Sequence, residues 1–196
     1  MRIITAFPSS YFWPLLALCL AAALPARAAC RPDALGTHRT LAVATAGGPA
    51  YGTRQYPQTL PLTDGEFVLT FDDGPAAGTT AAVLDTLGAE CARATFFLIG
   101  RNAAGLPALA ARAARDGHTV ANHTFSHPWT IDRLSAEKGL AEVDNGAEAI
   151  RKALGGSGRL APFLRFPGFV ETPALRAEMA RRNVAILGAD LWHRTG

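Results

Sequence analysis

The chain has 196 residues, with 19 basic and 16 acidic side chains and a formal charge of +3. Hydrophobic residues make up 49% and charged residues 18%. That is enough apolar surface for one packed domain and too much for a disordered chain. The charge is too small to make an electrostatic case for a nucleic-acid partner.

The first 28 residues read as a secretory signal peptide. Arg2 gives the basic start, residues 12–24 form an apolar run (FWPLLALCLAAAL), and Ala26-Arg27-Ala28 is a small-x-small cleavage site. The run is short for a membrane span, and Pro14 and Pro25 argue against a retained anchor. The expectation is a secreted or periplasmic protein with no stable membrane span after cleavage near Ala28. Losing Arg2 and Arg27 lowers the formal charge to +1. Cys19 leaves as well. Cys30 and Cys91 remain, an even pair in an exported chain, and one disulfide between them is expected.

Residues 29–63 are rich in Gly, Pro, Thr and Ala and read as an N-terminal arm with a short strand near 40–44. Asp64-Gly65 is a turn that opens a catalytic domain over 64–196. Residues 66–71 (EFVLTF) read as a buried strand. Residues 79–90 are helical, with Val83, Leu84 and Leu87 on one face. Residues 94–99 (ATFFLI) form the next strand, and 106–116 an Ala-rich helix closed by Gly117. A strand at 119–122 leads to a helix over 135–154 that Ser135 caps. Gly155 to Gly158 make a loop. A strand at 163–166, a helix at 173–183 begun by Pro173 and a strand at 184–189 complete the pattern. Strand and helix alternate throughout, which predicts an α/β fold: a parallel sheet under helices, either a βα barrel or an open sheet.

Three motifs carry chemistry. Thr70-Phe71-Asp72-Asp73-Gly74-Pro75 puts two acids at the end of an uncharged strand. Neighbouring side chains alternate on a strand, so both reach one site only if the turn rearranges the backbone. The useful arrangement has Asp73 on a metal and Asp72 beside it, free to take a proton from water. His123-Thr124-Phe125-Ser126-His127 follows. On a helix its two rings would share a face, a frequent spacing for zinc ligands, with Asn122 and Thr124 placed to position them. Two histidines and one carboxylate leave coordination positions open, as catalytic metals need. Zinc is the first choice, with cobalt or another divalent transition metal at the same ligands. In Leu164-Arg165-Phe166-Pro167-Gly168, Arg165 is placed to pair with Asp72 and keep it ionised, and the Gly168 N–H to meet a developing oxyanion.

Together, TFDDGP, HTFSH followed by Pro, and RFPG resemble the polysaccharide deacetylases, the carbohydrate esterase group with the NodB homology domain. The resemblance runs over about residues 66–190. It implies a distorted (β/α) barrel and metal-dependent removal of acetyl groups from an N-acetylated glycan of the chitooligosaccharide or peptidoglycan type. Residue by residue it implies Asp72 as general base, Asp73, His123 and His127 as metal ligands, Arg165 as partner of the base and Gly168 as oxyanion donor. Such domains continue to an Asp-Trp pair and a Leu-x-His whose histidine protonates the leaving amine. Here Asp190-Leu191-Trp192 matches the start of the first in an unsettled register. His193 lies too close behind the last strand for the second. The expectation is therefore a barrel short of its C-terminal strands. The alternative reading is an impaired homologue that binds metal and glycan without efficient turnover.

Overall fold

The structure is a computed structural model that describes residues 30–191. The expected signal peptide and His193 lie outside the described residues. Six parallel strands form one sheet: β1 (Ala50–Tyr51), β2 (Thr70–Gly74), β3 (Thr95–Leu98), β4 (Thr119–Asn122), β5 (Leu160–Leu164) and β6 (Ala185–Leu187). Their order across the sheet is β1-β6-β5-β4-β3-β2, parallel at every step. Five helices join them: α1 (Thr80–Ala89), α2 (Gly100–Gly105), α3 (Pro107–Arg115), α4 (Ala136–Leu154) and α5 (Pro173–Arg181). This is the expected α/β architecture.

Local chemistry explains the helix ends. The Ser135 side chain accepts the Lys138 N–H, and Gly155 closes α4 in the left-handed conformation at φ 51°. Thr172 caps α5 by accepting the Leu175 N–H, and Pro173 sits where no N–H is required.

Strand alternation divides the interior. Phe96 and Leu98 on β3 join Val120 of β4, Leu84 of α1 and Ile150 of α4 in one apolar cluster. Phe97, fully buried, points the other way, and the Arg165 guanidinium lies 4.1 Å over its ring. A second cluster packs Leu164, Phe166, Ile186, Leu175 and Met179 around Tyr56 and Ile131. Burying each of these large side chains is worth about 1.5–3 kcal/mol, so both clusters matter to stability.

Several elements differ from the sequence reading. The arm's strand is β1 at 50–51, not 40–44, and it pairs with β6 with Ala50 opposite Ile186. The residue run 66–71 enters the sheet only from Thr70. Phe67 is 77% exposed and Val68 and Leu69 are also exposed, so the expected buried strand is half surface. A short helix, α2, precedes the expected one at 106. It lies so close to α4 that a Cβ on Gly100 would stand 2.7 Å from the Gly146 Cα.

Both sheet edges, β1 and β2, face one cleft of about 200 Å³, lined by Tyr51, Val68, Thr70, Arg165 and Leu187. The sheet therefore curls into a barrel left open between β1 and β2. Cys30 and Cys91 are bridged with their Cα atoms 5.9 Å apart, tying the arm to the turn after α1. Closing that 61-residue separation is worth about 2–4 kcal/mol. No helix among the described residues is long and apolar enough to cross a membrane.

Candidate metal centre and active site

The ends of β2, β4 and β5 meet at one place. At the end of β2 the ladder to β3 shifts register between Phe71 and Gly74, and Asp73 takes a left-handed φ of 67°. This break in the alternation separates the roles of the two acids. Asp73 turns toward the histidines, with its side chain 60% exposed. Asp72 turns toward Arg165 and is 25% exposed.

His123 and His127 do not lie on a helix. They bracket a loop after β4 in which Thr124 and His127 are left-handed, at φ 67° and 60°. Such a loop is costly unless its surroundings fix it, and α4 supplies them. Asn122 donates from Nδ2 to the Val143 carbonyl, and its Oδ1 accepts the Thr124 N–H. The Thr124 hydroxyl oxygen accepts the His127 N–H. Asn122 and Thr124 thus shape the backbone of the loop and do not hold the rings.

The sequence reading missed Glu142 on α4. Its carboxylate accepts the N–H groups of Phe125 and Ser126 and the Ser126 hydroxyl, at 2.8–3.2 Å. One helical turn on, Gly146 lets α4 lie against the loop: a Cβ there would be 2.6 Å from both Asn122 Oδ1 and the Thr124 carbonyl carbon. A Glu in the middle of an amphipathic helix reads as solvated surface, so only the i, i+4 pairing with Gly146 could have pointed to it.

The His123 ring is oriented by the main chain. Its Nδ1 lies 2.6 Å from the Arg165 carbonyl oxygen. A carbonyl only accepts, so Nδ1 carries the proton and Nε2 offers its lone pair to the site. Asp73 Oδ1 lies 3.4 Å from His123 Nε2 and 3.1 Å from His127 Nε2. One donor atom from each of the three residues lies within 4.8 Å of the others. Zinc bonds of about 2.0–2.2 Å place tetrahedral ligands about 3.4 Å apart, so this donor set fits one such ion.

The electrostatics suit a cation. The neighbouring His123 holds the Asp73 carboxyl below the usual carboxylate range, against a smaller opposing effect of burial. Burial pushes His127 below the usual imidazole value, and the neighbouring His123 adds to this. Both side chains are therefore in the form that a cation would need at neutral pH.

Arg165 is buried beneath Asp72. It donates to Asp72 Oδ1 at 2.7 Å, to the Thr70 hydroxyl at 2.8 Å and to the carbonyls of Leu187 and Gly188. One guanidinium thus joins β5 to β2 and β6, its donors matched to fixed acceptors. Gly168, at φ 61°, lies against Trp129, which in turn packs edge-on at 4.6 Å from the His127 ring. The segment after β5 is therefore a wall of the same site.

A family model described as polysaccharide deacetylase matches residues 60–185, well over half of the chain. The chain belongs to the polysaccharide deacetylase family. It is 47% identical over 68 residues to a peptidoglycan-N-acetylglucosamine deacetylase of Bacillus cereus, covering 35% of this chain and 25% of that protein. It is 38% identical over 132 residues to a chitooligosaccharide deacetylase of Bradyrhizobium, covering 65% and 59%. A solved peptidoglycan deacetylase of Bdellovibrio bacteriovorus superposes with a TM-score of 0.67 at 26% identity, covering 79% of this chain and 41% of that one. The chain thus spans less than two thirds of each of these relatives.

Asp190, the acid of the expected Asp-Trp segment, is not a member of the donor cluster. It accepts the Thr53 N–H and hydroxyl and the Thr59 hydroxyl. Burial would push it up, but these bonds together leave it lowered. Its task is to pin the arm to the end of β6.

Proposed function

We propose that this chain is an exported, metal-dependent deacetylase that frees amines from an N-acetylated glycan of the chitooligosaccharide or peptidoglycan type. The observation that carries the reading is the convergence of Asp73, His123 and His127 on one point, with Asp72 beside it and bonded elsewhere. Family membership supports the reaction class. The names of the relatives supply the two substrate types. The Cys30–Cys91 bridge supports an oxidising compartment outside the cytoplasm.

Asp73, His123 and His127 would hold the cation, zinc first and cobalt or another divalent transition metal next. When bound, such a cation lowers the pKa of a coordinated water from about 16 towards 7 and polarises the acetamide carbonyl. Asp72 takes the proton of the attacking water. Arg165 fixes that carboxylate in place through its bond to Oδ1. The Gly168 N–H donates to the developing oxyanion. The C–N bond then breaks as the proton held by Asp72 passes to the leaving nitrogen, which restores the Asp72 carboxylate. The acetic acid formed gives its proton to the amine, so acetate leaves and the sugar keeps an ammonium group.

The test is acetate release from chitooligosaccharide and from peptidoglycan fragments, with zinc restored to chelator-treated protein. Acetate release that Asp72→Asn lowers by about 10²–10⁴ while zinc stays bound supports the reading. Zinc bound without any acetate release would leave only the glycan-binding alternative. Full activity in the Asp72 variant would remove Asp72 as the base.

A further inference from the structure

A lone exposed apolar side chain needs no explanation, but Trp129 combines exposure with a fixed place at the site. It is 62% exposed. Among the exposed large apolar side chains of the described residues, it alone makes a ring contact with a histidine of the cluster, at 4.6 Å and 81° to His127. It stands on a short turn held by the Ile131 N–H bonded to the Pro128 carbonyl, and Ile131 itself is fully buried. On its other side is Gly168, where a Cβ would already stand 3.3 Å from Trp129 Cε3. A larger residue at 168 would press on the indole, so Gly168 makes room for it.

The position therefore offers a large aromatic surface that is already ordered. Binding against it costs little side-chain entropy. The indole face carries negative quadrupole density and attracts positively polarised C–H bonds. The C–H-rich face of a pyranose ring is such a surface.

We propose that Trp129 is the platform on which the sugar ring stacks while its acetamide group reaches the Asp73–His123–His127 cluster. This rests on the deacetylase reading and names the residue that recognises the ring. Asp73, the exposed member of the cluster, leaves that side open to the acetyl group, and Trp129 bounds the site beyond His127.

The test uses chitotetraose binding to the zinc-free protein, measured by calorimetry, so that binding is read without turnover. Trp129→Ala weakens binding at least about tenfold and Trp129→Phe restores most of it. Zinc affinity, read by competition with a chromophoric chelator, stays within about threefold in both variants. In acetate release, Trp129→Ala raises KM about tenfold and leaves kcat within about threefold. The proposal is overturned if chitotetraose does not bind the wild-type protein, or if Trp129→Ala binds it as well as wild type. It is also overturned if Phe fails to restore binding, or if the Ala variant loses zinc more than tenfold, since Trp129 would then act only by supporting His127. Should the protein release no acetate while chitotetraose binding still depends on Trp129, the catalytic reading fails and the platform stands.

Discussion

The loop after β4 and the stretch before β2 treat burial in opposite ways. The loop takes polar groups inward: Asn122, His123 and Thr124 are buried, and their donors and acceptors are paired. The stretch at 67–69 leaves Phe67, Val68 and Leu69 in solvent along the sheet's open edge. Burying polar groups is unfavourable unless each finds a partner, so the loop is rigid only while α4 supplies them. Exposed apolar side chains make no such demand. On the deacetylase reading, activity should therefore depend on the first region far more than on the second.

The largest effect belongs to the ligands. A four-ligand zinc site gains about 10–16 kcal/mol, so losing one ligand is worth about 2.5–4 kcal/mol. His127→Ala should weaken zinc binding about 10²–10³-fold in chelator competition and remove acetate release with it. Unchanged zinc affinity would mean that the ion sits elsewhere.

Glu142 comes next, since it tests whether the loop needs its support. Glu142→Ala removes the acceptor for Phe125, Ser126 N–H and the Ser126 hydroxyl and should cost about 10–100-fold in zinc affinity. Glu142→Gln keeps one acceptor oxygen and should fall between Ala and wild type. A wild-type zinc affinity in the Ala variant would show that α4 packing through Gly146 suffices.

A smaller effect lies in pH. Protons compete with zinc for His127 and Asp73, and both groups titrate below their ordinary values. The proton is therefore the weaker competitor. Two ordinary imidazoles with pKa about 6.5 would lose about tenfold in zinc affinity between pH 7 and pH 6. This site should lose less, and affinity should be flat from pH 7 to 8. A loss of tenfold or more would contradict the lowered His127.

The smallest effect is expected at the open edge. Phe67→Ser should change unfolding stability in urea by no more than about 0.5 kcal/mol. A loss above about 2 kcal/mol would show that the edge is covered in solution.

The contrast also marks what the sequence made legible. Asp72, Asp73, His123, His127, Arg165 and Gly168 could be named together because three short motifs keep them in fixed order, and the structure brings them to one set of strand ends. The means of assembly was hidden. Spacing of four suggested a helix, but the rings meet through left-handed backbone at Thr124 and His127, which depends on hydrogen bonds to α4. Asp72 and Asp73 diverge because of a register shift against β3, a property of the pair of strands. Residues 66–71 read as buried because they are apolar, yet burial depends on a neighbour that composition does not record. Glu142 and Trp129 look like ordinary surface residues until the fold places them beside the loop.

The most direct test is an anomalous-diffraction map of zinc-loaded crystals. The account predicts one zinc peak bonded to Asp73, His123 Nε2 and His127 Nε2, with the Asp72 carboxylate still bonded to Arg165 and outside the ion's coordination. A zinc peak away from those three side chains, or one bonded to Asp72, would contradict it.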